Sequence, residues 1–308
     1  MKIIQIDHIT KDYGNERGVF DVSFDIEQGE VFGFLGPNGA GKTTTIRQIL
    51  GFIRPDKGKV FVDGKKVARR YYETNAHIGY LPGEINFPDG MKGTEFIHWC
   101  ADLRGMRDLG RANQLIELLN LKNADSDVKR MSKGMKQKIG IVCAFMHDPD
   151  ILILDEPTSG LDPLMQEAFI ELIRDEKERG KTILMSNHMF PEIEKTCDRT
   201  AIIRNGRIAT VVKMDDIQKS SHKEYKIKFQ TPVDSYRFAK ENFEFSEVNH
   251  EKTRVKVKID DTEINRLIEV LSDYDIRYIS EVKQTLEDYF MHFYEGSSEE
   301  ETVGRNGR

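Results

Sequence analysis

The nine residues "GPNGAGKTT", Gly36 to Thr44, fit the pattern G-x-x-x-x-G-K-[ST] and follow an all-apolar run, Val31 to Leu35. Gly36, Gly39 and Gly41 allow the backbone N–H groups of the loop, completed by Pro37, Asn38, Ala40 and Thr44, to turn inward around phosphate oxygens. The positive end of a helix dipole would stand behind them. In such a cradle Lys42 bridges the outer phosphates and the Thr43 hydroxyl ligates Mg²⁺. The alternative is a glycine-rich turn that binds nothing, and the strand before and helix after weigh against it.

A second apolar run, Ile151 to Leu154, ends in Asp155-Glu156. An Asp at that strand end can hold Mg²⁺ directly or through water. A Glu one position on, facing a γ-phosphate, can orient and deprotonate an attacking water. A bare Asp-Glu pair would be two solvated acids, and the phosphate loop is what makes it more. The stretch "MSKGMKQ", Met131 to Gln137, leaves two readings open: a helix start capped by Ser132, or an element whose free N–H groups recognise something anionic. Asp162-Pro163 is a helix start in its own right, a capping Asp with Pro at the first helical position. Taken singly, His188 after the strand-like "KTILMSNH" reads as a solvated loop histidine, and Tyr13 as a packing or rim aromatic.

These residues need a scaffold, and the pattern around them supplies one. "IIQIDHI" and "VFDVSFDIEQGE" alternate apolar with polar, as half-exposed strands do, and Gln28-Gly29 offers a turn. Val31–Leu35, Ile151–Leu154 and "KTILMSNH" read as buried strands, and "RTAIIRNGRIA" contains Asn205-Gly206, a two-residue hairpin signal. Between about 85 and 150 the period becomes helical, with Phe96, Trp99, Cys100 and Leu103 on one face and Leu115, Leu118 and Leu119 on another. Buried strands alternating with helices imply a parallel sheet covered on both faces, an α/β fold.

A polar stretch, "KMDDIQKSSHKE", marks a boundary near residue 220. Beyond it the period-2 strands at Tyr225–Phe229 and Val255–Ile259, the helices "VDSYRFAKENF" and "DDTEINRLIEVLSDY", and the final "IRYISEV" give strand, helix, strand, strand, helix, strand. That is the ferredoxin-like order. The second helix has Thr262 or Asp261 as its cap, and lysines interleaved in the strands read as the wet face of a one-sided sheet. A last helix, "TLEDYFMHFYEG", gives way to a charged tail expected to be disordered.

Composition sets outer limits. The 308 residues carry 46 basic and 52 acidic side chains, a net charge of −6, which argues against nucleic acid as the main partner. Cys100, Cys143 and Cys197 lie far apart with no C-x-x-C spacing and read as reduced core residues of a cytosolic protein. No apolar stretch reaches the roughly 20 residues of a spanning helix, and the N-terminus alternates like a strand instead of resembling a signal peptide. Membrane contact is expected only through a partner.

With these motifs in order, the chain resembles an ATP-binding-cassette (ABC) ATPase over residues 2 to about 220. The resemblance implies that Tyr13 stacks on adenine, that "GPNGAGKTT" is the Walker A loop and that "ILILDEP" is Walker B with its glutamate, Glu156. "MSKGMKQ" lies where the family signature belongs, "SGLD" supplies the D-loop residue Asp162, and "SNH" gives His188 as the switch histidine at the γ-phosphate. Ser132 and Gly134 survive from the L-S-G-G-Q signature, while Met131, Lys133 and Met135 depart from it. They and Asp162 would contact a nucleotide held by a second copy of the chain. "IGYLPGEINF" has Gly83 where the family usually carries a metal-ligating Gln, and Glu84 next to it can supply the oxygen to Mg²⁺ instead.

The expected architecture is therefore a P-loop ABC ATPase core with antiparallel β and helical subdomains over residues 2–222, the helical part at about 85–150. A small ferredoxin-like α+β domain follows at 223–295, and a disordered tail at 296–308. The resemblance extends to detached exporter subunits of the multidrug, bacitracin-resistance and sodium-efflux type. It implies ATP and Mg²⁺ as ligands, a homodimer around two ATP, and a separate integral membrane permease. The chain would be cytoplasmic and peripheral at the inner face of the membrane. A soluble ABC ATPase acting on ribosome or DNA is the alternative, disfavoured by a single motif set. A regulatory module that holds ATP without hydrolysis is disfavoured by Glu156 and His188.

Overall fold

In the computed structural model, residues 1–67, 71–218, 222–282 and 285–290 are described. The chain divides into two compact units, Met1–Met214 and the part from Asp215 onward.

In the first unit the apolar runs become strands Val31–Leu35 and Ile151–Asp155, buried at every position. Strands buried on both faces require parallel neighbours with covering crossovers. The sheet meets this requirement, with the order Arg207–Lys213, Arg199–Arg204, Val31–Leu35, Thr182–Asn187, Ile151–Asp155, Ile78–Leu81. All neighbours are parallel except the outermost Arg207–Lys213, which returns antiparallel through Asn205-Gly206. Both turn residues have positive φ, 49° and 73°, as a type I′ hairpin demands.

A second, antiparallel sheet runs Gly18–Glu27, Lys2–Asp12, Lys57–Val62, Lys65–Lys66. Phe24 of this sheet stacks on Phe32 at 5.1 Å and packs against Phe34 at 5.3 Å, which joins the two sheets through one apolar core. Such ring pairs stabilise beyond their buried area, by about 0.5–1.5 kcal/mol each.

The helical stretch resolves into Gly93–Leu103, Gly110–Leu118 and Lys133–Phe145, with a 3₁₀ turn at Val128–Arg130. One expectation needs correcting here. Helix Gly93–Leu103 buries Gly93, Phe96, Ile97 and Ala101, whereas Trp99 and Leu103 are 45% and 68% exposed. The buried stripe is rotated by about one position because the helix presses Gly93 against Ile139, where an added Cβ would come within 2.6 Å of Cδ1. Leu118 is likewise exposed while Leu115 and Leu119 are buried. Of the cysteines, all free, Cys197 is buried and Cys100 and Cys143 are half-buried.

The second unit shows strand His222–Phe229, helix Pro232–Phe238, strands Glu244–Asn249 and Arg254–Asp260, helix Ile264–Leu271 and strand Ile276–Val282. Their sheet order, Glu244–Asn249, Arg254–Asp260, His222–Phe229, Ile276–Val282, is the ferredoxin-like arrangement. Ile227, Phe229, Phe238, Val255, Val257, Ile259, Leu267 and Leu271 form its core. Neither Thr262 nor Asp261 stands at the N-cap of the second helix, which has no side-chain cap of its own; a 3₁₀ turn, Asp261–Glu263, leads into it and is capped by Asp260, which accepts from Thr262 N at 3.0 Å while Glu263 completes a capping box. Residues 286–290 are helical, and the tail expected to be disordered, 296–308, lies outside the described residues, as does part of the polar boundary stretch, 219–221.

Candidate functional site

Strand Val31–Leu35 runs into the glycine loop, and helix Lys42–Ile49 leaves it. Gly41 ends the loop at φ 110°, where an added Cβ would lie 2.5 Å from Val19 Cγ1, so the turn admits only glycine. Lys42 arches back over the loop and donates to Gly36 O at 2.6 Å and Pro37 O at 3.2 Å. It is 5% exposed. Burial lowers its pKa, and the charges of Glu156 and Asp155 work against that shift.

The parallel register sets strand Ile151–Asp155 beside Thr182–Asn187. Asp155 there accepts from Thr43 Oγ1 at 2.7 Å and from Ser186 Oγ at 2.5 Å, joining residues up to 112 positions apart. The next residue, Glu156, has a left-handed backbone, φ 49°. Its N–H donates to Ser186 O at 3.2 Å and Ser186 Oγ at 3.1 Å. Gln137 Nε2 donates to its carbonyl at 3.2 Å and to Pro157 O at 2.8 Å. The carboxyl Oε1 then stands 3.8 Å from Lys42 Nζ and 3.8 Å from His188 Nδ1.

His188 is held through its neighbour. Asn187 Oδ1 accepts from His188 N at 2.7 Å and Met189 N at 2.9 Å. Its amide donates to Glu192 Oε2, which also accepts from Thr158 Oγ1 at 2.6 Å. Glu192 thus ties the segment after Glu156 to the segment bearing His188.

Lys42, Thr43, Asp155 and Glu156 face a cleft of about 1220 Å³, larger than the roughly 300–1,000 Å³ of drug-sized sites. Tyr13, Asn38, Gly39, Gly41, Lys42, Thr43, Thr44, Glu84, Asp155 and Glu156 line it. Gly36 and Pro37 stand behind, presenting carbonyls to Lys42, and Ala40 is buried. Tyr13 sits at the rim, 54% exposed. Glu84 is exposed at the mouth, while an added Cβ at Gly83 would point at Asp155 Oδ2, 3.4 Å away. Position 83 therefore faces the carboxylate and Glu84 faces the opening. Tyr80, also lining the cleft, has its phenol pushed up to about 12 by burial and by the Asp155 charge.

Besides Gly36, Pro37 and Ala40, the expected residues His188, Ser132, Gly134 and Asp162 do not line the cleft of their own chain; His188 reaches it only through its approach to Glu156. Ser132 caps helix Lys133–Phe145 by accepting from Met135 N at 3.2 Å, and Asp162 caps helix Pro163–Glu178 by accepting from Met165 N at 3.1 Å. Gly134 packs on the backbone of Gly160, where a Cβ would fall 2.4 Å from the carbonyl oxygen. Lys133, by contrast, reaches the rim of its own cleft and donates to Ser159 Oγ at 2.7 Å.

The donors at Asp155 are a carboxylate and a hydroxyl, hard oxygens that suit Mg²⁺. Among the described residues no three His, Cys, Asp or Glu gather into a metal-holding group, so beyond Asp155, Thr43 and the expected Glu84 the ligands would be phosphate oxygens and water. Sequence reasoning missed Gln137, Ser186, Glu192 and the cleft residues Arg17, Arg47 and Arg207. Ser186 opens the "SNH" triplet and Gln137 closes "MSKGMKQ", so both stood beside quoted motifs. The arginines carried no local signal.

The ABC transporter family profile matches residues 19–159. Over 302 residues the chain is 31% identical to the bacitracin transport ATP-binding protein BcrA of Bacillus licheniformis, covering 96% of this chain and 98% of that one. It is 39% identical over 213 residues to the Nod factor export ATP-binding protein I of Paraburkholderia xenovorans, covering 66% and 68%. Among solved structures, an ATP binding subunit of an ABC transporter aligns with a TM-score of 0.65 at 32% identity, over 70% of this chain and 92% of that one.

Proposed function

This chain belongs to the ABC transporter family as an ATP-binding protein, and from that premise we propose that it is the ATP-hydrolysing subunit of a membrane exporter. It works as a homodimer around two ATP and drives a separate permease. The observation that carries the reading is the position of the Glu156 carboxyl, 3.8 Å from both Lys42 and His188 at the floor of the cleft.

ATP enters with its adenine against Tyr13 at the rim and its phosphates on the N–H groups of the loop Gly36–Thr44. The Lys42 ammonium, already turned over the loop, meets the outer phosphates. Thr43 and Asp155, with Glu84 at the mouth, would hold Mg²⁺, which neutralises phosphate charge when bound. A water between the γ-phosphate and Glu156 is oriented by that carboxylate, which takes its proton as the water oxygen bonds to phosphorus and the bond to ADP breaks. His188 contacts the γ-phosphate and keeps Glu156 and the water in line.

Ser132 and Gly134 at the start of helix Lys133–Phe145, and Asp162, contact the ATP of the second copy. Dimer closure carries the helical subdomain with it, and the region from about 84 to 99 transmits the movement to the permease. Among the described residues no helix is long and apolar enough to cross a membrane. On this reading the permease supplies the membrane contact, and the chain works at its cytoplasmic face. The full-length likeness to a bacitracin transport protein and the likeness to a Nod factor export protein support the exporter assignment.

Two measurements test it. Purification of the native complex should yield a second chain with several apolar spans of roughly 20 residues, and co-sedimentation with ribosomes instead would sink the transport reading. Glu156→Gln should bind ATP, lose turnover and form an ATP-dependent dimer. Undiminished hydrolysis would mean that another group is the base.

A further inference from the structure

Helix Lys133–Phe145 starts at Ser132, and one face of its first turns rests on the loop that follows Glu156. The contacts are Lys133 to Ser159 Oγ at 2.7 Å, Gly134 against the Gly160 carbonyl, and Gln137 to the Glu156 and Pro157 carbonyls. Residues 133 and 137 are one i,i+4 step apart, so they share a face.

Gln137 is 3% exposed and makes both of its carboxamide bonds to this loop. Those bonds matter because of the backbone they reach. Glu156 sits at φ 49°, a conformation that non-glycine residues keep only when their surroundings hold it. Ser186 holds its N–H, and its C=O accepts from both Gln137 Nε2, at 3.2 Å, and Ser159 N, at 3.1 Å. Without Gln137 the Glu156 carbonyl keeps only the local turn bond from Ser159 and the Pro157 carbonyl loses the Gln137 bond, so the loop is tied less firmly to the helix and the carboxyl can move away from Lys42 and His188.

We propose that Gln137 is a positioning residue for Glu156, and that it joins the helix whose N-terminus meets the partner's ATP to the base of its own site. The second half rests on the dimer reading above. On that reading, ATP drawn onto Ser132 and Gly134 of one copy shifts a helix whose fifth residue anchors that copy's own Glu156. Nucleotide in one site thereby aligns the base in the other.

The test uses the full chain and two variants. Gln137→Met keeps the length and removes both donors. Gln137→Glu keeps the shape but turns a carboxylate toward two carbonyls. Expected for Gln137→Met is a fall in kcat of about tenfold or more, with ATP affinity and KM within about twofold, the split that marks loss of transition-state alignment. For Gln137→Glu the loss should be full at about pH 8 and partly reversed toward about pH 6, as the buried carboxyl gains a proton and regains one donor. Wild-type kcat in either folded variant overturns the proposal. In the Glu156→Gln background, Gln137→Met should still dimerise with ATP, and loss of the dimer would instead make Gln137 a dimer-surface residue. Should Glu156→Gln alone fail to dimerise, the dimer reading falls, while the kcat and pH results still decide the role of Gln137.

Discussion

Removing the Glu192 side chain should loosen the segment bearing His188 before it harms anything else. Glu192 is 6% exposed, and one of its oxygens accepts from both Thr158 Oγ1 and the Asn187 amide, themselves 6% and 2% exposed. Glu192→Ala leaves these two donors buried without partners, at about 1–3 kcal/mol each. A gain offsets part of the loss, because Glu192 Oε1 is itself buried without a partner, a burden of the same order that the variant removes. The net destabilisation is about 2 kcal/mol, which for a unit of this size lowers Tm by about 4–8 °C. Glu192→Gln keeps an acceptor for both donors and exchanges one unpartnered atom for another, so it should cost only about 1 kcal/mol. Asn187, freed from Glu192, no longer holds the His188 N–H steadily, so kcat should fall in Glu192→Ala beyond what the stability loss explains. Thermal unfolding by circular dichroism and steady-state hydrolysis below the transition measure the two effects. A Tm for Glu192→Ala within about 1 °C of wild type, or equal damage from Glu192→Gln, would refute the reasoning.

Gly134→Ala places a Cβ 2.4 Å from the Gly160 carbonyl oxygen, a backbone atom that cannot swing aside. Overpacking of this kind costs about 1–3 kcal/mol, so Tm should drop by several degrees and hydrolysis should fall with it. A variant with unchanged melting would show that the loop yields freely. Burial, helped by the Arg104 charge, pushes the His147 imidazole down to about 4 from its ordinary 6.5. The native state therefore binds fewer protons than the unfolded chain between those values. The stability this contributes is present above about pH 6.5 and is lost as pH falls toward about 4. His147→Gln should have a shallower decline of Tm on acidification across that window, and parallel curves for the two proteins would remove His147 as the cause.

Legibility differed with the range of the interaction. The loop Gly36–Thr44, the hairpin at Asn205-Gly206, the buried strands and the caps at Ser132 and Asp162 were all readable, because each depends on residues within a few positions of one another. The ferredoxin-like order followed from a simple alternation of periods. Helix Gly93–Leu103 misled because Trp99 and Leu103 are apolar, and apolarity alone cannot say which side of a helix another element will cover. The cap at Asp260, which serves the 3₁₀ turn before the helix, was missed by one residue, the ordinary fate of a boundary with several candidate acids.

By itself the sequence determined which atoms could meet phosphate and metal: a glycine loop, a lysine, a hydroxyl and two acids at a strand end, each specified by local backbone sterics and side-chain chemistry. The tertiary structure alone decided how they meet. Parallel pairing of Ile151–Asp155 with Thr182–Asn187 sets Asp155 against Ser186 and Thr43, and brings Glu156 midway between Lys42 and His188. Gln137 and Glu192 acquire their hydrogen-bond partners only there. Their partners lie 19 to 34 residues away in the chain, apart from Asn187 at 5. A hydrogen bond of that reach is defined by the packing of elements, which no local pattern encodes.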